Sequence, residues 1–279
     1  MSTESWLSRR SALKGLLATG VGLATGRVGY GVAFERHRIQ LFERPLTVAG
    51  LPAALDGLRV GLITDVHLSP MVPASDVTQA VDLLAAARPD VIALGGDYVT
   101  STDVSRAAPV AELLAPLSSA PMGAFAVLGN HDDDRVVPAA LAAKGFTVLR
   151  DQRTRVDIRG EPVDIVGLRF WTRRLPDITR VVRGAGPTTF MLAHDPRRLR
   201  EAATLDVQLV LAGHTHGGQV VLPGMGAVAA RRFPVVAGEA TEDHCTLFVS
   251  RGVGTVFVPV RINCPPEVHV LVLRASTPA

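Results

Sequence analysis

The chain has 279 residues, 47% hydrophobic and only 5% aromatic, which excludes a disordered chain and requires a core built from Ala, Val and Leu. Its formal charge is +3, but Arg9, Arg10, Lys14 and Arg27 against Glu4 account for all of it, so residues 34–279 are neutral and carry no nucleic-acid footprint. Two cysteines, Cys245 and Cys264, stand in no CxxC or Cys/His spacing, which excludes a thiolate zinc site and leaves either a disulfide or two separate buried thiols.

The first element is a leader. Ser8-Arg9-Arg10-Ser11-Ala12-Leu13-Lys14 precedes an uncharged run over 15–26. This frame resembles a twin-arginine (Tat) export signal, with Ala12 where the usual frame has Phe. As a helix the run spans about 18 Å, against about 30 Å of membrane hydrocarbon, and extending it to Phe34 would bury Arg27. The expectation is a signal segment over 1–33, with a cleavage site at Gly31-Val32-Ala33. The chain would then be exported by the Tat translocase to the periplasm, the exterior or the outer membrane face. Retention as a loose membrane anchor is the alternative.

A strand is expected over 40–48, followed by apolar runs of four to six residues bounded by turn residues: 58–63, 91–94, 124–128, 189–193 and 207–212. Helical patterns fill 74–87, 105–115, 135–144 and 196–203 between them. Strands alternating with helices predict a largely parallel sheet, whose ligands gather beyond the carboxyl ends of the strands. After Gly217 the helices stop. Strands are expected over 219–222, 246–250, 255–260 and 268–273, forming a second sheet packed on the first. No linker divides 34–279, which reads as a single domain.

Each of the five runs ends in a cluster of polar side chains: Thr64-Asp65-Val66-His67, Gly95-Gly96-Asp97, Gly129-Asn130-His131-Asp132, His194-Asp195-Pro196 and Gly213-His214-Thr215-His216-Gly217-Gly218-Gln219. Five of the eight histidines fall in these clusters, and His37, His244 and His269, outside them, read as structural or surface residues. On an extended strand end, Asp65 and His67 would point the same way and meet one cation. Asp97 would bridge two cations with its two oxygens. Singly, each cluster has an ordinary explanation as a cap, a turn or a buried histidine. Together, at successive strand ends, they point to a metal centre.

The order Asp-x-His, Gly-Asp, Gly-Asn-His-Asp, His, Gly-His-x-His resembles the calcineurin-like metallophosphoesterase superfamily from about residue 40 onward. The Gly217-Gly218-Gln219 form, Leu222-Pro223-Gly224, Ser250-Arg251-Gly252 and Pro265-Pro266-Glu267 are similar to its bacterial exported or membrane-attached phosphodiesterases. The resemblance implies an α/β fold of two mixed β-sheets packed together and flanked by helices. It implies two divalent transition metal ions (Mn, Fe, Zn, Co or Ni), one on Asp65, His67 and His216, the other on Asn130, His194 and His214, with Asp97 bridging. His131 would face the substrate and protonate the leaving oxygen or stabilise charge; orienting a neighbour is its alternative role. Three functions remain open: an exported phosphodiesterase, a pyrophosphatase for a nucleotide diphosphate-linked lipid at the membrane, and a non-catalytic metal-binding protein. Segments 72–76, 171–177 and 225–237 are expected at the rim, where Phe170, Trp171 and Phe233 offer apolar surface or belong to the core. The partners so implied are a phosphoester substrate and the translocase, with membrane association as a further expectation.

Overall fold

A computed structural model describes residues 9–276. Helix α1 (Arg9–Ala33) is followed by β1 (Gln40–Val48), β2 (Arg59–Ile63), α2 (Ala74–Ala86), β3 (Val91–Leu94), α3 (Ala107–Leu114), β4 (Ala124–Ala126), α4 (Val136–Ala142) and β5 (Thr147–Val148). Then come β6 (Gln152–Ile158), β7 (Glu161–Leu168), α5 (Leu175–Val182), β8 (Thr189–Ala193), α6 (Leu199–Ala203) and β9 (Leu209–Ala212). A short hairpin of β10 (Val221–Leu222) and β11 (Gly226–Ala227), then β12 (Gly238–Glu242), β13 (Cys245–Val249) and β14 (Glu267–Ala275) complete the order.

Two six-stranded sheets result, β1-β14-β2-β3-β4-β5 and β12-β13-β9-β8-β7-β6. Both are mixed: β14 is antiparallel to β2 but parallel to β1, and β6 and β12 run antiparallel to their neighbours. The period-2 alternation of side chains builds three apolar layers. Val60, Leu62, Ala93 and Phe125 of the first sheet meet Phe190, Leu192, Leu209 and Leu211 of the second. Ile63, Ile92 and Leu94 face α2, α3 and α4, while Met191, Ala193, Val210 and Ala212 face α5 and α6. The order of layers is therefore α/β/β/α, the expected fold class.

The distribution of strands differs from the expectation. The five motif strands do not share one sheet: β2, β3 and β4 lie in the first, β8 and β9 in the second, and the late strands β13 and β14 are divided likewise. The crossing is made by the β6–β7 hairpin, whose outer strand is rich in charge (Arg153, Arg155, Asp157) and shows no apolar run, because only one face of an edge strand is buried. Segment 255–260 is not a strand. Its neighbours' amides are used elsewhere: Val253 N–H donates to Thr64 O, Gly254 N–H to Asp65 O and Val256 N–H to Gln219 Oε1.

Of the leader, residues 1–8 and the side chains of Arg9 and Arg10 lie outside what is described, so the export frame does too. Among the described residues no helix is long and apolar enough to cross a membrane. The end of α1 is tied to the body. Arg27 reaches both Glu35 and Asn263 at 2.7 Å. Gly31 is buried so closely on Arg261 O that a Cβ would stand 2.5 Å away. Gly31 of the expected cleavage site is thus packed against the body, while Ala33 and Phe34 are exposed.

Candidate metal centre

The clusters after β2, β3, β4, β8 and β9 converge at the rim between the two sheets. The segment after β2 runs beside that after β3, since Asp65 N–H donates to Gly96 O and His67 N–H to Asp97 O, both at 2.9 Å. Asp65 (φ 51°) and His67 (φ 50°) are not extended, contrary to the strand-end reasoning; Asp97 (φ 58°), His214 (φ 73°) and His216 (φ 51°) share the left-handed conformation. Each such residue costs about 1–3 kcal/mol and persists only where its surroundings fix it. Glycines supply the clearance. A Cβ on Gly213 would lie 2.2 Å from Asp65 Oδ2, and one on Gly129 would lie 2.0 Å from Asp97 Oδ1.

Two triads form. Asp65, His67 and His216 bring ligand atoms within 4.8 Å of one another, as do Asp97, His194 and His214. His67 Nε2 faces His216 Nε2 at 3.2 Å, and His194 Nε2 faces His214 Nδ1 at 3.2 Å. Asp97 Oδ2 lies 3.4 Å from His67 Nε2 and 3.1 Å from His194 Nε2, so this one oxygen addresses both triads. Its partner Oδ1 accepts the His131 N–H at 2.8 Å. With Oδ1 engaged by the His131 N–H, Oδ2 is the Asp97 oxygen that faces both triads. Asn130 keeps its Oδ1 buried without a hydrogen-bond partner.

The imidazoles leave their lone pairs toward one another. His194 Nδ1–H donates to Gly95 O at 2.8 Å and His67 Nδ1–H to Thr100 Oγ1 at 3.1 Å, which puts the acceptor nitrogens inward. Burial pushes His67 down to about 4 and His214 to about 3, and lowers His216, so these rings are neutral at pH 7. Burial pushes Asp65 up to about 6. Asp97 stays well below the usual carboxylate range, His194 and His67 outweighing its burial. His194 is driven up to about 10 because the charge of Asp97 overcomes burial. The carboxylates and inward nitrogens call for positive charge between them, which a proton on His194 supplies in part and a cation would supply in full. Ligand separations near 3.2 Å match those around one cation with bonds of about 2.1 Å. The donor set of imidazole, carboxylate and amide oxygen, without thiolate, fits a divalent transition metal.

Three further groups shape the site. The Asp132 carboxylate, at the end of the Gly-Asn-His-Asp motif, accepts four backbone N–H groups, from Asp97, Tyr98, Val99 and Gly129. Arg261 is wholly buried and donates to the carbonyls of Arg251, Gly252, Gly254 and Cys264, shaping the loop that packs on Asp65. Phe170 and Phe233 are buried against His214, at ring separations of 4.9 and 5.2 Å, while Trp171 is 69% exposed. Of the expected rim segments, 225–237 reaches the centre through Phe233, but 72–76 lies against Arg36 and Thr255. His37 pairs with Asp76 and His269 with Glu267, both away from the ligands. Cys245 and Cys264 are free and buried.

His131 belongs to neither triad. Its ring stands edge-on to His67 at 5.0 Å, and the Ser101 N–H donates to its Nδ1 at 3.1 Å. The neutral ring therefore carries its proton on Nε2.

Comparison with known proteins places these residues in context. The calcineurin-like phosphoesterase family matches residues 58–218. Phosphodiesterase YaeI of Escherichia coli (strain K12) is 30% identical, over 96% of this chain and 99% of its own. The metallophosphoesterase YkuE of Bacillus subtilis (strain 168) is 28% identical, over 97% and 99%. A metallophosphoesterase of Aquifex aeolicus (strain VF5) is 31% identical, over 87% and 94%.

Proposed function

The chain belongs to the calcineurin-like phosphoesterase family and is a phosphoric ester hydrolase, and from that premise we propose an exported phosphodiesterase working with two metal ions. The observation that carries this is Asp97 Oδ2 standing between two triads of inward lone pairs. Asp65, His67 and His216 would hold one ion; Asn130, His194 and His214 would hold the other. Two such ions supply Lewis acidity toward the phosphoryl oxygens and the attacking water. His131 presents its Nε2–H to the leaving oxygen and, once a second proton replaces the Ser101 N–H contact at Nδ1, gives that Nε2 proton up to it. Phe170 and Phe233 pack apolar rings against His214. Diester preference is supported by the likeness to phosphodiesterase YaeI.

Export is supported by the Ser8-Arg9-Arg10-x-x-Leu13-Lys14 frame. A folded chain crossing by that route takes its metals in the cytoplasm. Changing Arg9 and Arg10 to Lys should keep active protein inside the cell, and normal export of that variant would refute the route. For the chemistry, the test is a panel of phosphomonoesters and diesters with metal content measured alongside. Diester hydrolysis abolished by chelator and restored by Mn or Zn is the expected result; hydrolysis indifferent to chelator refutes the dinuclear reading.

A further inference from the structure

A groove of about 430 Å³ leads away from His214 and His216. Its walls are Val220, Leu222, Phe233, Val256, Phe257 and Val258. The polar groups along it are already engaged. Gln219 Nε2 donates to Val258 O and its Oε1 accepts the Val256 N–H, and the Thr215 hydroxyl donates to Val236 O. The Arg232 guanidinium lies over the Phe233 ring at 5.2 Å. What the groove offers a ligand is therefore mainly hydrocarbon, beginning at the metal ligands.

Phe257 marks the direction. Its side chain is 85% exposed and its backbone has φ 64°, a conformation that bulky residues rarely adopt. Neither packing nor backbone preference favours the ring there, the combination expected of a residue kept for contact with a ligand. The ring lies 6.4 Å from that of His131. The proton donor and the apolar groove thus meet at the same point, where the leaving alcohol would stand. The next residues along the chain, Val260 and Ile262, carry the end of α1 at Gly31, and Val28, Tyr30 and Phe34 near that contact are exposed. The apolar mouth is continuous with an apolar helix end.

We propose that this groove is a leaving-group subsite, and that the substrates are phosphodiesters whose leaving alcohol carries a long alkyl or acyl chain. The proposal rests on the phosphodiesterase reading above. In the reaction, water oxygen bonds to phosphorus, the bond from phosphorus to the chain-bearing oxygen breaks, His131 protonates that oxygen, and the proton the water releases restores the ring. The products are a phosphomonoester and an apolar alcohol.

The test uses the full chain loaded with Mn and a series of methyl phosphodiesters of 4-alkylphenols, from 4-methyl to 4-octyl. Alkyl length leaves the acidity of the phenol nearly unchanged, so only apolar contact varies. Phenol release is followed by chromatography. kcat/KM should rise about two- to fourfold per methylene over the first few carbons, the upper value corresponding to full burial of each group. In Phe257→Ser and, separately, Leu222→Ser, the octyl-to-methyl ratio of kcat/KM should collapse at least tenfold; the ratio is insensitive to how much of a preparation is active. A flat series with good turnover of the methyl member would overturn the groove while leaving the phosphodiesterase reading intact. An unchanged ratio in both variants would also overturn it. No turnover of any member would instead strike the reading on which it rests.

Discussion

Asp132 accepts the backbone N–H of Asp97 at 2.8 Å, and through the same oxygen that of Gly129 at 2.9 Å. One carboxylate thereby fastens the loop after β3 to the loop after β4, and with it the bridging ligand to Asn130 and His131. Asp132→Ala should lower metal retention and kcat/KM about 10- to 100-fold each, in the range found for residues that orient metal ligands. Metal analysis after gel filtration and diester turnover measure the two. Full occupancy and full activity would show that the loops hold their positions without it.

Asp97→Ala should lose metal from both triads, because Oδ2 addresses both. Loss of a single equivalent, read by elemental analysis against the parent protein, would show that the other triad is self-sufficient.

His131→Ala should keep two equivalents of metal while kcat falls by about 10²–10⁴. The loss should shrink for esters with acidic leaving groups, which need less proton donation. An equal loss across leaving groups would move the role to charge stabilisation.

Asp164 supplies a pH prediction remote from the metals. Arg153 and Arg155 donate to its carboxylate at 3.0 and 2.7 Å and the Gly186 N–H at 2.6 Å. Burial opposes ionisation, but these bonds and the two cations hold the carboxyl below its usual 3.8. A depressed folded value stabilises the fold above the unfolded value, and the contribution disappears as pH falls through the folded one. Asp164→Asn should therefore cost about 2 kcal/mol at pH 7, solvent around Arg155 screening part of the pair. The gap from the parent in urea midpoint should close as the pH falls below 3.8. A gap independent of pH would assign the effect to hydrogen-bond geometry alone.

The leader's contacts predict its fate. With Gly31 on Arg261 O, Arg27 on Glu35, and Glu35 Oε1 accepting the Cys264 N–H, the end of α1 is part of the fold. Mass spectrometry of the chain recovered from its host should find residues 27–36 retained. An N-terminus at Phe34 would show these contacts to be dispensable.

The residues of the two triads were legible because imidazoles and carboxylates stand out at strand ends, where apolar runs stop at polar or Gly residues. Their backbone conformation was not. Asp65 and His67 look like an extended pair in sequence, yet both are left-handed, because the glycine-lined neighbours and the paired β3 loop determine φ there. Asp132 and Arg261 were silent because they act on backbone amides and carbonyls, which leave no mark in sequence. The strands buried on both faces, β3 and β8, were read to the residue; the half-exposed β6 and β12 were not, since charge on the solvent face hides their alternation.

Strand β14 lies between β1 and β2, pairing Gln40 with Glu267 at one end and Val48 with Ala275 at the other. During synthesis, residues 40–48 leave the ribosome long before β14, their partner in the sheet among the described residues, exists. Until 267–275 emerge, β1 has no ladder to join, and the 260–264 turn that seats α1 is equally missing. Strand β1 and the seat of α1 are thus among the last parts to settle, and their slow, long-range closure makes completion of the first sheet wait for β14.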